Sequence, residues 1–304
     1  MKIDVKKDII IPAWDLIKND SKVKKMQFFP WVLSIVFLSA LLAYQTIYTY
    51  TILAHKKEET LEKILKFIHS DYITEFLVWA IIFIILYIFI IPIFEGAIVK
   101  YIQKSDKKEN QEISEAISIW LYKFLPVFEY DNLFSEFKFL SIVNFYLFTL
   151  RLLEFHYLKY INYTFLVILL FSIIINVLFA YSKYFIILEN KKVFESIWYS
   201  TKLALINIKN TLKLYILMFI LNIRVIFNFI VFLIFPIIVV LAIWYITSQI
   251  LQTIAVSAII ILFVLFILFL WYLTWVLEAL KSAIWYYAYK KWKERLEELE
   301  KDVK

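Results

Sequence analysis

Cysteine is absent from the 304 residues, and glycine occurs once, at Gly96. Without cysteine there can be no disulfide, thiolate metal site, iron–sulfur cluster or cysteine nucleophile. The shortage of glycine excludes more. Ordinary usage of about 7% predicts on the order of twenty glycines. Phosphate loops, dinucleotide fingerprints, the nucleophile elbow and the potassium-filter loop all need glycine clusters, for positive φ or for close backbone approach. The three histidines, His55, His69 and His156, share no metal-ligand spacing, and no HExxH pattern occurs. The sequence therefore points to no catalytic residue, no metal site and no cofactor. It also has no polar stretch long enough to form a soluble domain.

What is present is apolar. Soluble domains are roughly 45–50% apolar, whereas this chain is 63% hydrophobic with a mean hydropathy of +0.76. A single packed core cannot hide that much apolar surface, but a bilayer can. Crossing about 30 Å of hydrocarbon takes about 20 apolar residues in a helix. Phe28–Leu53, Phe76–Val99, Tyr163–Leu188 and Ala255–Leu277 meet that length, and Leu214–Ile246 exceeds it. Phe139–Leu158 is the weakest span, since it carries Asn144, Arg151, Glu154 and His156. Arg151 and Glu154 are three apart and can pair along one helix. The polar first 27 residues, followed by an apolar run too long for a signal core, predict no cleaved signal peptide.

The net charge of +7 is distributed as in a membrane protein, not gathered on one basic face as nucleic-acid binding requires. Residues 1–27, 100–138, 183–213 and 281–304 hold 26 of the 33 lysines and arginines. The intervening segments 54–75, 151–160 and 246–252 hold six, and Arg224 lies inside a span. Basic residues are retained on the cytoplasmic side. This imbalance predicts six transmembrane helices in the cell (inner or plasma) membrane, with both termini cytoplasmic.

Amphipathic helices are expected between the spans. Ile10, Ala13, Trp14 and Ile17 recur at one-face spacing, as do Ile113, Ala116, Ile117, Trp120, Leu121 and Phe124. Phe194, Ile197, Trp198, Thr201, Leu205 and Ile208 form a third stripe, and Leu61–Ile68 a fourth on the outer side. Trp14, Trp120 and Trp198 are the expected anchors at the cytoplasmic interface, with anionic lipid headgroups as partners. The fold expected is an all-α polytopic membrane domain over 1–304. It is built as three parallel repeats (8–103, 112–190 and 192–292) of an interfacial helix and a transmembrane hairpin, followed by a charged, solvated helical tail over 290–304.

The end of the fourth span, Tyr184-Phe185-Ile186-Ile187-Leu188-Glu189-Asn190, is followed by Glu195-Ser196, Ser200 and Asn207. This pattern resembles the linker of the glycerophosphodiester phosphodiesterase membrane-domain-like family of six-helix integral membrane proteins. The resemblance implies a fold over residues 20–290. It implies no catalytic residues, because the phosphodiesterase activity of such proteins belongs to a separate soluble domain.

Ionisable groups within spans are functional hypotheses by default. Arg224 is expected to point into the bundle and pair with Glu95, or failing that with Glu278, with Asn222 and Asn228 completing a polar cluster. Gly96 and Ala97 offer a small surface for close helix contact. The leading reading is a non-catalytic membrane module, an accessory or scaffold protein that packs against lipid or other membrane proteins. Its rivals are a transporter of an anionic or amphiphilic solute and a membrane-embedded lipid enzyme. The topology is directly testable. An Asn110→Cys variant should resist an impermeant thiol reagent in intact cells and react once the membrane is permeabilised; labelling in intact cells would overturn the orientation.

Overall fold

The computed structural model of the chain describes residues 3–53, 56–109, 112–153, 157–223 and 249–302. All regular structure among them is helical. A π-helical turn, Lys6–Ile10, leads into α1 (Ile11–Asn19), which Pro12 starts in the first turn, where its missing N–H costs no helical bond. Next come α2 (Ser21–Leu53), α3 (Lys57–Ile68), α4 (Tyr72–Asp106), α5 (Ile113–Lys123) and α6 (Leu125–Phe134). A 3₁₀ turn, Ser135–Phe137, precedes α7 (Phe139–Leu153), α8 (Leu158–Leu178), α9 (Ser182–Glu189) and α10 (Val193–Ile206). The last two helices are α11 (Ile208–Ile223) and α12 (Gln249–Asp302).

Four stretches are long and apolar enough to cross a membrane: Ser21–Thr51, Tyr72–Asp106, Leu158–Glu189 and Thr253–Lys301. The number rises to six if two bent pairs each count as one span. These pairs are Leu125–Phe137 with Ser141–Leu153, bent by 47°, and Val193–Ile206 with Ile208–Ile223, bent by 97°. The apolar side chains of these helices lie on the outside, as expected of a protein dissolved in lipid. Trp79 is 69% exposed, Val167 66% and Ile261 61%.

The helices differ from the apolar runs in two places. Within the weak span expected over Phe139–Leu158, the described α7 has 15 residues and is about 22 Å long. Together with α6, beyond a break at Ser135–Lys138, it is long and apolar enough for one bent span. The run Tyr163–Leu188 is interrupted by a turn at 179–181, which separates α8 from α9. Most of Leu214–Ile246 lies outside the described residues.

The chain forms two compact units, Met1–Lys24 with Phe134–Lys304, and Lys25–Leu133. In the first, the far half of α12 is the core. Ala279, Ala283, Ile284, Ala288 and Trp292 are at most 1% exposed, and α1 lies against this helix through Ala13 and Ile17. Trp275 Nε1 donates to the Lys24 carbonyl. Tyr181 fits edge-on between Trp285 and Trp292, and Tyr184 stacks on Tyr289. The expected solvated tail is therefore corrected at its start: Trp292 is fully buried and Leu296 nearly so. A helix in water tolerates that only where another element covers it.

The second unit pairs α2 with α4 through Phe37 stacked on Tyr87 and Phe29 against Phe94. Between them α3 buries no residue. It carries Lys–Glu pairs at i,i+4 on one side and exposes Leu61, Ile64, Leu65 and Ile68 on the other. The closest packing joins α4 to α5. A Cβ built on Gly96 would stand 2.3 Å from the six-membered ring of Trp120, so only glycine lets the indole lie on the α4 backbone. Trp120 is 2% exposed. The ring of Trp120, one of the expected interfacial anchors, thus serves a helix contact at the small surface of Gly96 and Ala97. Gly96→Ala should lower the thermal midpoint in detergent, costing about 1–3 kcal/mol as overpacking does. Trp120→Leu in the same background should restore part of the loss, and an unchanged midpoint for Gly96→Ala would disprove the contact.

Candidate functional site

Two of the five residues expected in an intramembrane cluster, Arg224 and Asn228, lie outside the described residues, and the expected pairing of Arg224 lies there with them. Two others meet in the first unit. Glu278 accepts from Lys281 Nζ at 2.5 Å, and the same ammonium donates to Asn222 Oδ1 at 2.5 Å. The Lys281 side chain is only 15% exposed. Lys281, at i+3 from Glu278 on the same helix, is thus the partner that the sequence reading overlooked. Glu95 belongs to the second unit, where its charge and that of Asp131 both act on the Tyr87 phenol. Among the described residues no three His, Asp or Glu side chains are grouped to hold a metal ion.

Several other buried polar groups of the first unit, among them Ser172, Ser200 and Asn207, meet three of the places where its helices break. Each break frees backbone groups that have no water to turn to in an apolar setting, and such groups must find internal partners. At the end of the 3₁₀ turn before α7, the Phe137 carbonyl accepts from Ser172 Oγ at 2.5 Å and from Asn176 Nδ2 at 2.7 Å, both from α8. At the turn between α8 and α9, Ser200 of α10 accepts from the Tyr181 N–H at 3.0 Å and donates to the Leu178 carbonyl at 2.8 Å. One hydroxyl thus takes the place of a missing helical bond on both sides.

The third break is the 97° corner between α10 and α11 at Asn207. The Asn207 carbonyl accepts from the Asn210 and Thr211 N–H groups at 3.0 and 2.9 Å, which starts α11. Its side-chain Nδ2 donates back to the Leu203 carbonyl at 3.1 Å, and its Oδ1 accepts from Arg295 Nη1 at 3.0 Å. Tyr181 and Thr211 share a buried hydroxyl–hydroxyl bond at 3.0 Å, and Tyr215 donates to the Asn176 carbonyl. Ser196, Ser200 and Asn207, the linker residues that carry the family resemblance, are all at most 2% exposed. Ser200 and Asn207 bond backbone and neighbouring helices, while the buried Ser196 hydroxyl has no hydrogen-bond partner among the described residues.

A second polar group lies where α9 meets α12. Glu189 accepts from the Tyr289 hydroxyl and from Lys293 Nζ, the latter at 2.7 Å. Asn190 turns the chain there with φ of 54°, a left-handed conformation that asparagine tolerates at a helix end. Lys191 places its ammonium 3.3 Å from the centroid of the Tyr199 ring and bonds Glu195 at 3.2 Å. Burial works to lower the Lys191 pKa, but the bonds to Glu195 and Tyr199 outweigh it and hold the ammonium above the ordinary lysine value.

The three tryptophans expected as interfacial anchors separate into two kinds. Trp14 and Trp198 are 51% and 70% exposed, while Trp120 is buried. On α10 the expected apolar stripe faces away from the protein: Phe194 is 77% and Leu205 57% exposed. The opposite face, Ser196, Ser200, Leu203, Ala204 and Asn207, is the buried one. Periodicity found the stripe correctly, but periodicity does not say which medium covers it. Arg295, Tyr289 and Lys293 were missed because their partners are 88 to 104 residues away in the chain.

Ser200→Ala leaves a buried N–H and a buried carbonyl unpaired, so it should cost about 1–3 kcal/mol for each stranded group and lower the unfolding midpoint clearly. Thr201→Ala, which removes only a bond to its own helix at Ile197, should leave the midpoint within a degree or two. Equal midpoints for the two variants would show that Ser200 does not hold the break.

Comparison with family models, with curated proteins and with solved structures finds no match to this chain.

Proposed function

We propose that the chain is a non-catalytic integral membrane module of six spans, an accessory or scaffold protein whose partners are lipid and other membrane proteins. Both termini lie on the cytoplasmic side of the cell membrane, and the helix-hairpin unit recurs three times in parallel. The kinship suggested by the Ser196, Ser200 and Asn207 linker belongs to this proposal.

One observation carries it: α10 is amphipathic in the sense opposite to a helix of a water-soluble protein. Its small and polar residues pack against the protein, while Phe194, Trp198 and Leu205 face outward. Such a helix suits a surface where lipid is its solvent. The 97° corner after it lets α10 lie along the bilayer plane while α11 enters the hydrocarbon. Trp14 on α1 repeats the arrangement, with Ala13 and Ile17 inward and the indole outward. The lysines of the same segments favour anionic headgroups. Buried Ser172, Ser200 and Asn207 hold helix breaks together, which supports a module over a pore.

A permease for an anionic solute is the second reading, favoured by the partly buried Lys281 ammonium between Glu278 and Asn222. The two readings separate in vesicles. With single tryptophans retained, Trp14 and Trp198 should be quenched several-fold more by brominated lipid than Trp120, and more by shallow than by deep bromines. Equal quenching of Trp14 and Trp198 by aqueous iodide and no effect of lipid bromine would refute the interfacial helices. Solute flux abolished by Lys281→Met would favour the permease.

A further inference from the structure

Helix α3 stands between α2 and α4, two of the helices long and apolar enough to cross a membrane. Three positions separate it from each of them, so its length of about 18 Å stays at the end of that pair. Two contacts fix how it is rolled. Thr51 of α2 donates its hydroxyl proton to the Ile47 carbonyl at 2.7 Å, so Thr60 of α3 is the donor in the 3.1 Å bond between the two hydroxyls. Phe67 meets Phe76 of α4 edge-on, with ring centroids 5.4 Å apart. Thr51 ends its apolar stretch and Phe76 lies one turn inside the next, so both holds are at the ends of the spans. The His69 and Ser70 N–H groups donate to the Leu65 and Phe67 carbonyls, each at 3.0 Å, and close the turn toward α4.

Thr60 and Phe67 are seven residues apart and share one line of the helix. At about 100° per residue, Leu61, Ile64, Leu65 and Ile68 centre roughly 100° to one side of that line, and Glu59, Glu62, Lys63 and Lys66 roughly 100° to the other. The tether therefore turns an apolar face and a charged face to opposite sides. The charged face is closed on itself: Glu59 bonds Lys63 at 2.6 Å and Lys56 at 3.1 Å, and Glu62 bonds Lys66 at 2.6 Å. Across residues 54–75 four lysines meet five carboxylates, Glu58, Glu59, Glu62, Asp71 and Glu75. Such a segment has no excess of positive charge to draw it to anionic headgroups. Its four apolar side chains are only about half exposed, too little for a stable contact with a second copy, which takes roughly 800 Å² from each partner. The medium that the flanking helices already enter is the occupant that fits.

We propose that α3 is a docking surface for loosely packed, uncharged phospholipid of the outer leaflet. Leu61, Ile64, Leu65 and Ile68 enter among the acyl chains just beneath the headgroups, while the paired lysines and glutamates stay in water. Binding of this kind follows apolar area and lipid packing, and here it is indifferent to headgroup charge. The site rests on the reading that α2 and α4 cross the membrane with both termini cytoplasmic.

The test uses the full chain, which has no cysteine of its own, in phosphatidylcholine vesicles. Ile64→Cys and Lys63→Cys variants each carry an environment-sensitive fluorophore. Nitroxides near the top of the lipid acyl chains should quench the label at position 64 several-fold more than the label at position 63, and aqueous iodide should do the reverse. Replacing half of the lipid by phosphatidylglycerol should leave both ratios unchanged. Replacing saturated by unsaturated phosphatidylcholine should raise acyl-chain quenching at position 64 about twofold. Leu61→Gln/Leu65→Gln, which alters only exposed side chains, should remove the difference between the two positions. Equal iodide quenching at both positions without those changes would lift α3 off the bilayer and overturn the site. Quenching at position 64 that appears only with phosphatidylglycerol would make the contact electrostatic and overturn it too. Energy transfer between labelled copies, with position 64 shielded from both quenchers, would put a second copy on the face instead of lipid. In intact cells Lys63→Cys should react with an impermeant thiol reagent. Reaction only after permeabilisation would overturn the orientation and the outer-leaflet assignment together, while quenching in vesicles separately reports whether the helix inserts.

Discussion

A helix that breaks in an apolar environment strands carbonyl and amide groups, and at two described breaks of the first unit side chains from a different helix take them up. Ser172 and Asn176 close the break at Phe137 and Ser200 the one at Leu178; at Asn207 the residue's own side chain bonds the Leu203 carbonyl and is held in turn by Arg295. This constraint fixes more than local geometry. Because the closing groups come from α8 and α10, and α12 holds the Asn207 side chain, the breaks set which helices must be neighbours. Ser200 cannot serve Tyr181 and Leu178 unless α10 lies against the α8–α9 turn, and its small neighbours Ser196 and Ala204 let it come close. Helix association in lipid has no hydrophobic drive between helices and depends on close packing and hydrogen bonds. Small polar residues provide both.

The same economy appears in the second unit without any break. Gly96 lies against Trp120, and the large ring does for α4 and α5 what hydroxyls do elsewhere, by contact area instead of hydrogen bonding. The indole N–H has no hydrogen-bond partner among the described residues. Packing, not polarity, therefore holds Trp120 in place.

How much of this was legible follows from the range of each interaction. The runs at 28–53, 76–99, 163–188 and 255–277 announced themselves by length and composition, which are local. Amphipathic stripes were also legible, since helical spacing is local too. Whether a stripe meets protein or lipid is decided elsewhere. Trp120 and Trp198 sit on equally plausible stripes, and only the presence of a glycine on α4 separates one fate from the other. Glu278 and Asn222 were singled out for their cost in lipid, and they do meet, but through Lys281, which had been counted only as interior charge. Arg295 was counted as part of a solvated tail because nothing near it in the sequence reveals Asn207, 88 residues earlier. Breaks at Ser135–Lys138 and 179–181 left no signature at all: neither contains proline or glycine.

The indole of Trp275 bonds the carbonyl of Lys24 across 251 residues, and α1 rests on the far half of α12. During synthesis this imposes a wait. At about 5–20 residues per second, α1 leaves the ribosome roughly 13–50 seconds before the surface it will cover has been made. The second unit, continuous from Lys25 to Leu133, is complete long before then. Ile9, Ala13 and Ile17 must therefore be held somewhere in the meantime. For a helix with Trp14 beside those residues and lysines around them, the membrane surface is the nearest refuge. Assembly then ends as α12 covers Ile9, Ala13 and Ile17 and leaves the Trp14 indole turned outward.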